Sequence, residues 1–475
     1  MTHTLRDYQV AAVDSIFEAW KENDSTLLVA PTGCGKTQIF CEVARKMDKR
    51  TLIIAHREEL IYQAAKRIQS FGMECEIEMA EQTASANLWT ASPVVISTIQ
   101  TQCAGNNGKG RMTRFTPADF GLVIIDEAHH ATSPTYVRML EHYRQNPNLK
   151  ILGVSATPDR ADEEALGRVF QSVAFSYEIL DAIRDGWLVP VEQQLVTIEG
   201  LDFSAIRTTA GDLNGADLAA VMEAEKNLHG IAASAIEIIG NRKAIVFTVS
   251  VKQAEMMSDI FNRHRPGMAD WVCGATAKPT RKESLSKFDK GDTQVMVNVG
   301  VLSEGFDSPG VEVIVQARPT KSRCLYAQQA GRGLRPLPGV VDGHERDTPD
   351  QRKAAIAAST KPSCLILDFC GNSGRHKLMT TADILGGNVS DEALERAVAR
   401  AKQSGEAVRM DQLAEEEEEK LQKELAERRQ RDAARKAHLV AKATFKARMV
   451  NPFDVFDITP PREHGWDKGK VLSEK

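Results

Sequence analysis

No Cys-x-x-Cys pair occurs among the eight cysteines of this 475-residue chain, which argues against the usual zinc spacings and a disulfide framework. A reducing compartment is expected. Aromatics make up only 6% of the residues, which argues against binding built mainly on base stacking. Neither sign of charge is in large excess. The net charge of -5 gives no global basic bias, although a local basic groove would still suffice for nucleic acid. No apolar run approaches membrane-spanning length, and Met1 to Asp7 holds no apolar signal region. These absences predict a soluble, cytoplasmic protein with no membrane partner. No His-Glu-x-x-His is present, and the adjacent His129 and His130 point in different directions, so the histidines are not expected to hold a metal. The remainder, 42% hydrophobic and 26% charged, is ordinary for a globular chain, and the length allows two or three domains.

The most informative stretch is Gly121-Leu122-Val123-Ile124-Ile125-Asp126-Glu127-Ala128-His129. An uncharged, partly β-branched run leads directly into two carboxylates. This is the pattern of a buried parallel strand delivering acids to the carboxyl edge of a sheet. Upstream, the apolar Leu27-Leu28-Val29 precedes Ala30-Pro31-Thr32-Gly33-Cys34-Gly35-Lys36-Thr37. Gly33 and Gly35 let the backbone approach phosphate oxygens, Lys36 meets the β- and γ-phosphates, and Thr37 ligates Mg²⁺. Asp126 is the second expected Mg²⁺ ligand. Glu127 orients and deprotonates the attacking water. Phosphate loop plus acidic strand end predicts binding and cleavage of Mg-ATP.

Strand-turn-helix units alternate up to about residue 178, with apolar strands at Thr51 to Ile54, Val94 to Ile96, Leu122 to Ile125 and Lys150 to Val154. The alternation predicts a parallel sheet with helices on both faces. Residues 179–235 read as a linker with small elements, including a crossing segment at Gly186 to Pro190 and a turn at Thr208 to Asp212. A second α/β series follows over 236–385, with strands at Ala244 to Phe247, Gln294 to Val297, Val311 to Val315 and Cys364 to Leu367. It has no phosphate loop, so the nucleotide is expected between the two domains. There Gln328-Gln329-Ala330-Gly331-Arg332-Gly333-Leu334-Arg335 places two arginines three apart, expected on one helix face. Their planar forks suit a γ-phosphate whose charge is shifting. Residues 386–475 read as a charged helical tail, with Ser390 capping a helix that ends near Gly405. A long segment follows, acidic over Glu415 to Glu419 and basic from Arg428 to Arg448, in the order that suits a helix dipole. Its pairs Glu416/Lys420, Glu419/Lys423, Glu424/Arg428 and Glu427/Arg431 fall at i,i+4 spacing.

Taken in order, these segments resemble a superfamily 2 helicase or translocase over roughly residues 4 to 372. Leu5-Arg6-Asp7-Tyr8-Gln9 resembles the adenine-reading motif, with Gln9 as reader and Arg6 beside it. Ala30 to Thr37 is similar to motif I, and Ala55-His56-Arg57-Glu58-Glu59-Leu60 to motif Ia. Ser97-Thr98-Ile99-Gln100 is similar to motif Ib, Asp126 to His129 to the DEAH form of motif II, and Ser155-Ala156-Thr157 to motif III. Val246-Phe247-Thr248 resembles motif IV, and Val301-Leu302-Ser303-Glu304-Gly305-Phe306-Asp307 motif V. Gln328, Gly331, Arg332 and Arg335 match motif VI. The resemblance implies two tandem RecA-like domains that use ATP and Mg²⁺. It makes Glu127, Lys36, Arg332, Arg335 and Gln328 the catalytic set, and places Gly305 and Asp307 at the nucleotide. His56, Arg57, Ser97, Thr98, Thr248 and Ser303 are the expected DNA-backbone contacts, and His129, Ser155 and Thr157 the coupling residues. Within the superfamily the details resemble the type III restriction ATPase branch and phage or prophage recombination helicases (UvsW-like), whose setting is a phage-infected or prophage-bearing bacterial cell. The implied activity is ATP-dependent movement on, or remodelling of, duplex or branched DNA, independent of sequence. The alternatives are an RNA helicase and an ATP-switched, motor-like adaptor of a restriction or defence assembly. Asn451 to Ile458 resembles the tail of phage-type helicases, and a replication or recombination protein is the expected tail partner.

Overall fold

A computed structural model of the chain describes residues 4–445, except 87–90, 106–109, 157–164, 210, 304, 345–346, 375 and 386–388. Thr157, Glu304 and the segment Asn451 to Ile458 therefore lie outside the described residues.

The first domain is a parallel sheet built from β1 (Ser25–Val29), β2 (Thr51–Ala55), β3 (Cys75–Glu78), β4 (Val94–Thr98), β5 (Leu122–Asp126), β6 (Lys150–Ser155) and β7 (Ser172–Ser176). Its order is β3-β4-β2-β5-β6-β1-β7. Both faces are covered, which is why the central strands read as near-continuous apolar runs. In β5, Leu122 and Ile124 join one buried cluster and Val123 and Ile125 the other. The helix Lys36–Met47 packs on the first of these faces through Ile39, Phe40 and Val43.

The second domain contains β8 (Val191–Asp202), a small hairpin of β9 (Thr208–Thr209) and β10 (Asp212–Leu213), and β11 (Ala244–Thr248), β12 (Ala269–Val272), β13 (Val295–Asn298), β14 (Val313–Ala317), β15 (Cys364–Asn372) and β16 (Val408–Arg409). The hairpin forms its own two-stranded sheet, and the others order as β12-β13-β11-β14-β15-β8-β16. Counted in chain order, the first six strands of both large sheets are arranged third, fourth, second, fifth, sixth, first. β8 thus occupies the place that β1 holds in the first domain. The chain is a tandem of two α/β domains with RecA-like parallel sheets.

Two boundaries differ from the sequence expectation. The span 179–235 is more than a linker, because β8 pairs in parallel with β15 along nearly its whole length. Its buried Val191, Gln193 and Leu195 alternate with half-exposed Glu192, Gln194 and Val196. The expected tail from 386 also begins inside the second domain. Helix Asp391–Ser404 starts at Ser390, whose hydroxyl accepts from the Ala393 N–H, and is followed by Gly405 at φ +67°. It buries Ala393, Ala397 and Ala401, and β16 adds an antiparallel edge to β8. Ala397 and Ala401, together with Met410, Leu413 and Ala414 at the start of the helix Met410–Phe445, join the apolar cluster that holds Ile314 and Ile366. Arg400 meets Glu417 at 2.7 Å and Glu416 at 3.2 Å. Residues 419–445 form a separate unit, where Arg431 meets Glu427 one turn away at 3.5 Å. No helix of the described residues is long and apolar enough to cross a membrane.

Candidate functional site

β1 ends at Val29, and the loop that follows stays in register because the Ala30 N–H donates to the Ser155 carbonyl at 3.0 Å. Gly33 (φ +97°) and Gly35 (φ +71°) occupy left-handed backbone that turns the loop into the helix beginning at Lys36. A Cβ on Gly35 would lie 2.6 Å from Gln9 Nε2, so the position also lacks room. Tyr8 Oη donates to the Cys34 carbonyl at 2.7 Å, and Gln9 Nε2 donates to it at 3.2 Å. Gln9 Oε1 accepts from the Arg6 N–H at 3.0 Å. Gln9 therefore buttresses the phosphate loop. Cys34 presents only backbone, since its thiol is buried and burial pushes its pKa up to about 12.

Asp126 closes β5, and Glu127 follows in left-handed backbone at φ +51°, its N–H donating to Asp126 Oδ1 at 3.0 Å. Burial, then the neighbouring Glu127 carboxylate, raises the Asp126 pKa, while Lys36 opposes the rise. A carboxylate held so far from water is one that a cation would stabilise in its ionised form. With the Thr37 hydroxyl in the same cavity, the donor set fits Mg²⁺. Glu127 Oε2 is buried without a hydrogen-bond partner among the described residues, and His129 Nδ1 lies 3.5 Å from it. The rings of His129 and His130 lie 4.1 Å apart, and those of His130 and His56 4.8 Å.

A cavity of about 520 Å³ joins the two domains here. Pro31, Thr32, Gly33, Gly35, Lys36, Thr37, Asp126 and Glu127 line it from the first domain; Gly305, Phe306, Asp307, Arg332 and Arg335 line it from the second. The approach is close, since a Cβ on Gly331 would lie 2.9 Å from Thr32 Cβ. An adjoining cavity of about 270 Å³ is bordered by Arg6, Gln9, Gln38 and Trp187. Trp187 stacks between Arg6 at 4.1 Å and Arg352 at 4.0 Å. Gln63, Lys66 and Arg67 of helix Glu58–Ser70 also line the large cavity, and sequence reasoning missed them. The available signal was a basic pair on the helix that motif Ia opens, indistinguishable in sequence from a solvated face.

The two arginines do not share a helix face. Helix Arg323–Ala330 ends before them; Arg332 stands on the turn over residues 331–333, where Gly331 and Gly333 allow close packing, and Arg335 stands on the irregular chain that follows. A Cβ on Gly333 would lie 2.3 Å from Cys364 Sγ, so this turn presses directly on β15. Arg332 donates to the Ser303 carbonyl through Nε at 3.1 Å and Nη2 at 2.7 Å, and also to the Phe306 carbonyl. Arg335 pairs with Asp307. Lys361, almost fully buried, donates at 2.6 Å to both the Arg335 and the Pro309 carbonyls and so fixes the backbone of the second arginine. Gln328 is buried on that helix and does not line the nucleotide cavity, contrary to the expected catalytic placement.

The expected DNA contacts separate into two groups. Ser97 is fully buried and its hydroxyl donates to the Glu78 carbonyl, while Thr248 donates to the Asn298 carbonyl at 2.9 Å. Thr98 caps the helix Ile99–Cys103 by accepting from the Thr101 N–H. These three hydroxyls hold strand ends in place and do not reach the surface. Arg57 instead reaches across the cleft to the Gly300 carbonyl at 3.3 Å and the Val301 carbonyl at 3.5 Å. Ser303 offers its carbonyl to Arg332, and Ser155 is fully buried at the end of β6.

Residues 2–160 match the family model of the type III restriction enzyme res subunit, and residues 230–336 that of the helicase conserved C-terminal domain. The chain is 29% identical over 350 residues to a putative ATP-dependent helicase, IRC3, of Saccharomyces cerevisiae. That match takes in 70% of this chain and 49% of the relative, so the chain spans about half of that protein's length. A fragment of a putative HsdR subunit of a type I restriction enzyme from Vibrio vulnificus shares the fold, with TM-score 0.57 and 20% identity over 78% of this chain and 65% of that one. So does the type ISP restriction-modification enzyme LlaBIII, solved bound to DNA, with TM-score 0.53 and 17% identity over 79% of this chain and 32% of that one. The two family models and IRC3 support the resemblance to superfamily 2 helicases, and the two solved structures show the fold alone.

Proposed function

We propose that the chain is a DNA-stimulated ATPase that converts Mg-ATP hydrolysis between its two domains into movement on, or remodelling of, duplex or branched DNA. The observation that carries this reading is the shared cavity, which unites phosphate loop, acidic strand end and two arginines from different domains. The loop N–H groups and Lys36 would hold the phosphates. Thr37 and Asp126 would hold Mg²⁺, which supplies charge neutralisation at the β- and γ-phosphates. Glu127 would take the proton of the attacking water, and Arg332 and Arg335 would face the charge that develops on the γ-phosphate.

The bonds of Arg332 suggest how hydrolysis reaches DNA. Its guanidinium binds the carbonyls of Ser303 and Phe306, and the same loop meets Arg57 at Gly300 and Val301. Turning Arg332 toward a γ-phosphate would release that loop and change its hold on Arg57. Arg57 would then be free for a DNA phosphate, a contact independent of sequence. The DNA reading draws support from the restriction-type family match and from LlaBIII, solved bound to DNA.

The family match also favours a second reading, a motor-like subunit of a restriction assembly that turns over little by itself. ATPase rates with single-stranded, duplex and forked DNA and with RNA, using Lys36→Ala as the blank, decide between them. Stimulation by duplex or forked DNA above RNA is expected. Slow turnover on every nucleic acid would favour the subunit reading, and preference for RNA would replace both.

A further inference from the structure

A second cavity, of about 320 Å³, lies at the carboxyl edge of the second sheet, away from the ATP site. Gln316 on β14, Asp368 on β15 and Leu195 on β8 are register partners beneath it. These strands are the counterparts of β5, β6 and β1, which carry the acid and the phosphate loop in the first domain, although the cavity opens on the opposite face. The carboxyl edge of a parallel sheet is where ligands of α/β domains bind.

The inward columns of these strands begin apolar and end polar: Ile314 is followed by Gln316, and Ile366 by Asp368. Asp368 is satisfied, accepting from Tyr326 Oη at 2.6 Å and Gln193 Nε2 at 2.5 Å. Gln316 is not. It is 3% exposed, and neither the oxygen nor the nitrogen of its amide has a partner among the described residues. His376, 5% exposed, lines the same cavity with Nε2 equally unpartnered. Arg318, half-buried beside Pro319, makes no ion pair or hydrogen bond among the described residues. The acids nearby are already engaged. Asp383 accepts from Thr380 and faces Lys377 at 3.8 Å, and Lys377 lies 4.0 Å from Glu395. Buried polar groups in native proteins are paired as a rule, and two buried side chains with unpaired polar atoms around one cavity, beside a half-buried arginine, point to a ligand that pairs them.

We propose that this cavity binds one nucleotide unit, a nucleobase with its 5′-phosphate, separately from the ATP site. The Gln316 amide supplies a donor and an acceptor side by side, the complement of a base edge. His376 Nε2 supplies a third polar contact. The Arg318 fork suits a phosphate. Phe369 and Met379 give apolar walls, and the volume, near the small end of the roughly 300–1,000 Å³ of ligand sites, admits a single nucleotide and no duplex. The unit comes either from free mononucleotide or from an unstacked residue of a bound strand. Neither source requires ATP hydrolysis, so this proposal stands or falls apart from the motor reading.

The test uses the full-length protein with its ATP cavity saturated by ADP. The deoxynucleoside 5′-monophosphates are titrated by calorimetry, and single strands bearing 5-iodouracil are photocrosslinked and the adducts mapped by mass spectrometry. Heat from at least one monophosphate assigns the free nucleotide, and an adduct within residues 365–383 assigns the strand; either supports the proposal. Arg318→Ala should weaken the signal about tenfold or more, as loss of a charged contact does, and Gln316→Leu should do the same. Absence of both signals in the wild type overturns the proposal. So does an unchanged signal in Arg318→Ala with an unchanged thermal midpoint. Should Gln316→Leu fail to fold, the half-buried Arg318 still decides the matter.

Discussion

Glu127 occupies left-handed backbone that a long side chain rarely adopts, and such strain is kept where a side chain must be aimed. The aim is into the nucleotide cavity, with Oε2 lacking a hydrogen-bond partner among the described residues. Glu127→Gln keeps the shape and removes the base. We expect Mg-ATP binding within a few-fold of wild type and turnover lower by about 10²–10⁴. Nucleotide binding lost together with turnover would make Glu127 a structural or metal-holding residue. Arg332→Ala removes both the expected γ-phosphate contact and the hold on Ser303 and Phe306. DNA-stimulated kcat should fall by about 10³–10⁵, the usual worth of an arginine finger, with ATP affinity little changed. Equal losses in binding and rate would indicate a ground-state contact instead. At this scale much was legible in sequence, because Gly-Lys-Thr after a strand and Asp-Glu at a strand end serve few purposes besides holding a nucleotide and its metal. Gln63, Lys66 and Arg67 were not legible, because which face of a helix meets a second domain depends on docking. Nor were Ser97 and Thr248, whose hydroxyls are consumed by neighbouring carbonyls.

At the scale of elements, apolar runs between turn residues located most central strands to within two residues at their amino ends. The failures share a cause. β8 alternates Val191, Gln193 and Leu195 with Glu192 and Gln194, so its inner face includes a glutamine and the run does not look apolar. That glutamine is buried because it donates to Asp368 on the adjacent strand, a pairing invisible until the strands are side by side. Helix Asp391–Ser404 packs through alanines, which carry little hydrophobic signal among many charges. The Asp368 pair has a consequence for pH. Burial pushes the Asp368 carboxyl up to about 6 from its ordinary 3.8, with the bonds from Tyr326 and Gln193 opposing. An acid whose folded pKa is raised favours the folded state most below its unfolded pKa. That contribution is lost as pH rises from about 4 to about 6, at about 1.4 kcal/mol for each unit of the shift. Asp368→Asn retains an acceptor for both donors and removes the titration. The difference in thermal midpoint between wild type and Asp368→Asn, followed from pH 4 to 7 (about the span of the titration), should therefore move against the wild type with rising pH and level off above 6. A flat difference would show that Asp368 is not held in this way.

Among the described residues there are two large sheets of one strand order, the first carrying a phosphate loop, with the second domain closed by chain that lies well beyond the last motif. Sequence alone would end the motor near Gly386, since every ATPase motif precedes it. The structure moves that limit. Ala397, Ala401, Met410, Leu413 and Ala414 all lie in the cluster that also holds Ile314, Ile366 and Leu334. Ending the chain near residue 386 would uncover that face and remove β16 from the edge of β8. Each buried apolar side chain so lost is worth about 1.5–3 kcal/mol for the larger residues, against a total stability of about 5–15 kcal/mol. A chain ending near 386 should therefore be insoluble or melt far below wild type. A chain ending after Glu418, where the first compact unit ends, should fold and hydrolyse ATP. The segment it lacks carries Arg428, Arg429, Arg431, Arg435, Lys436 and Lys442. If these meet DNA phosphates, log affinity for duplex against log salt should become shallower by about 0.9 for each contact removed. An unchanged slope with intact ATPase would leave the basic segment to a protein partner. A chain ending at 386 that is soluble, melts like wild type and retains full ATPase would overturn the structural limit and return the boundary to the end of the motifs.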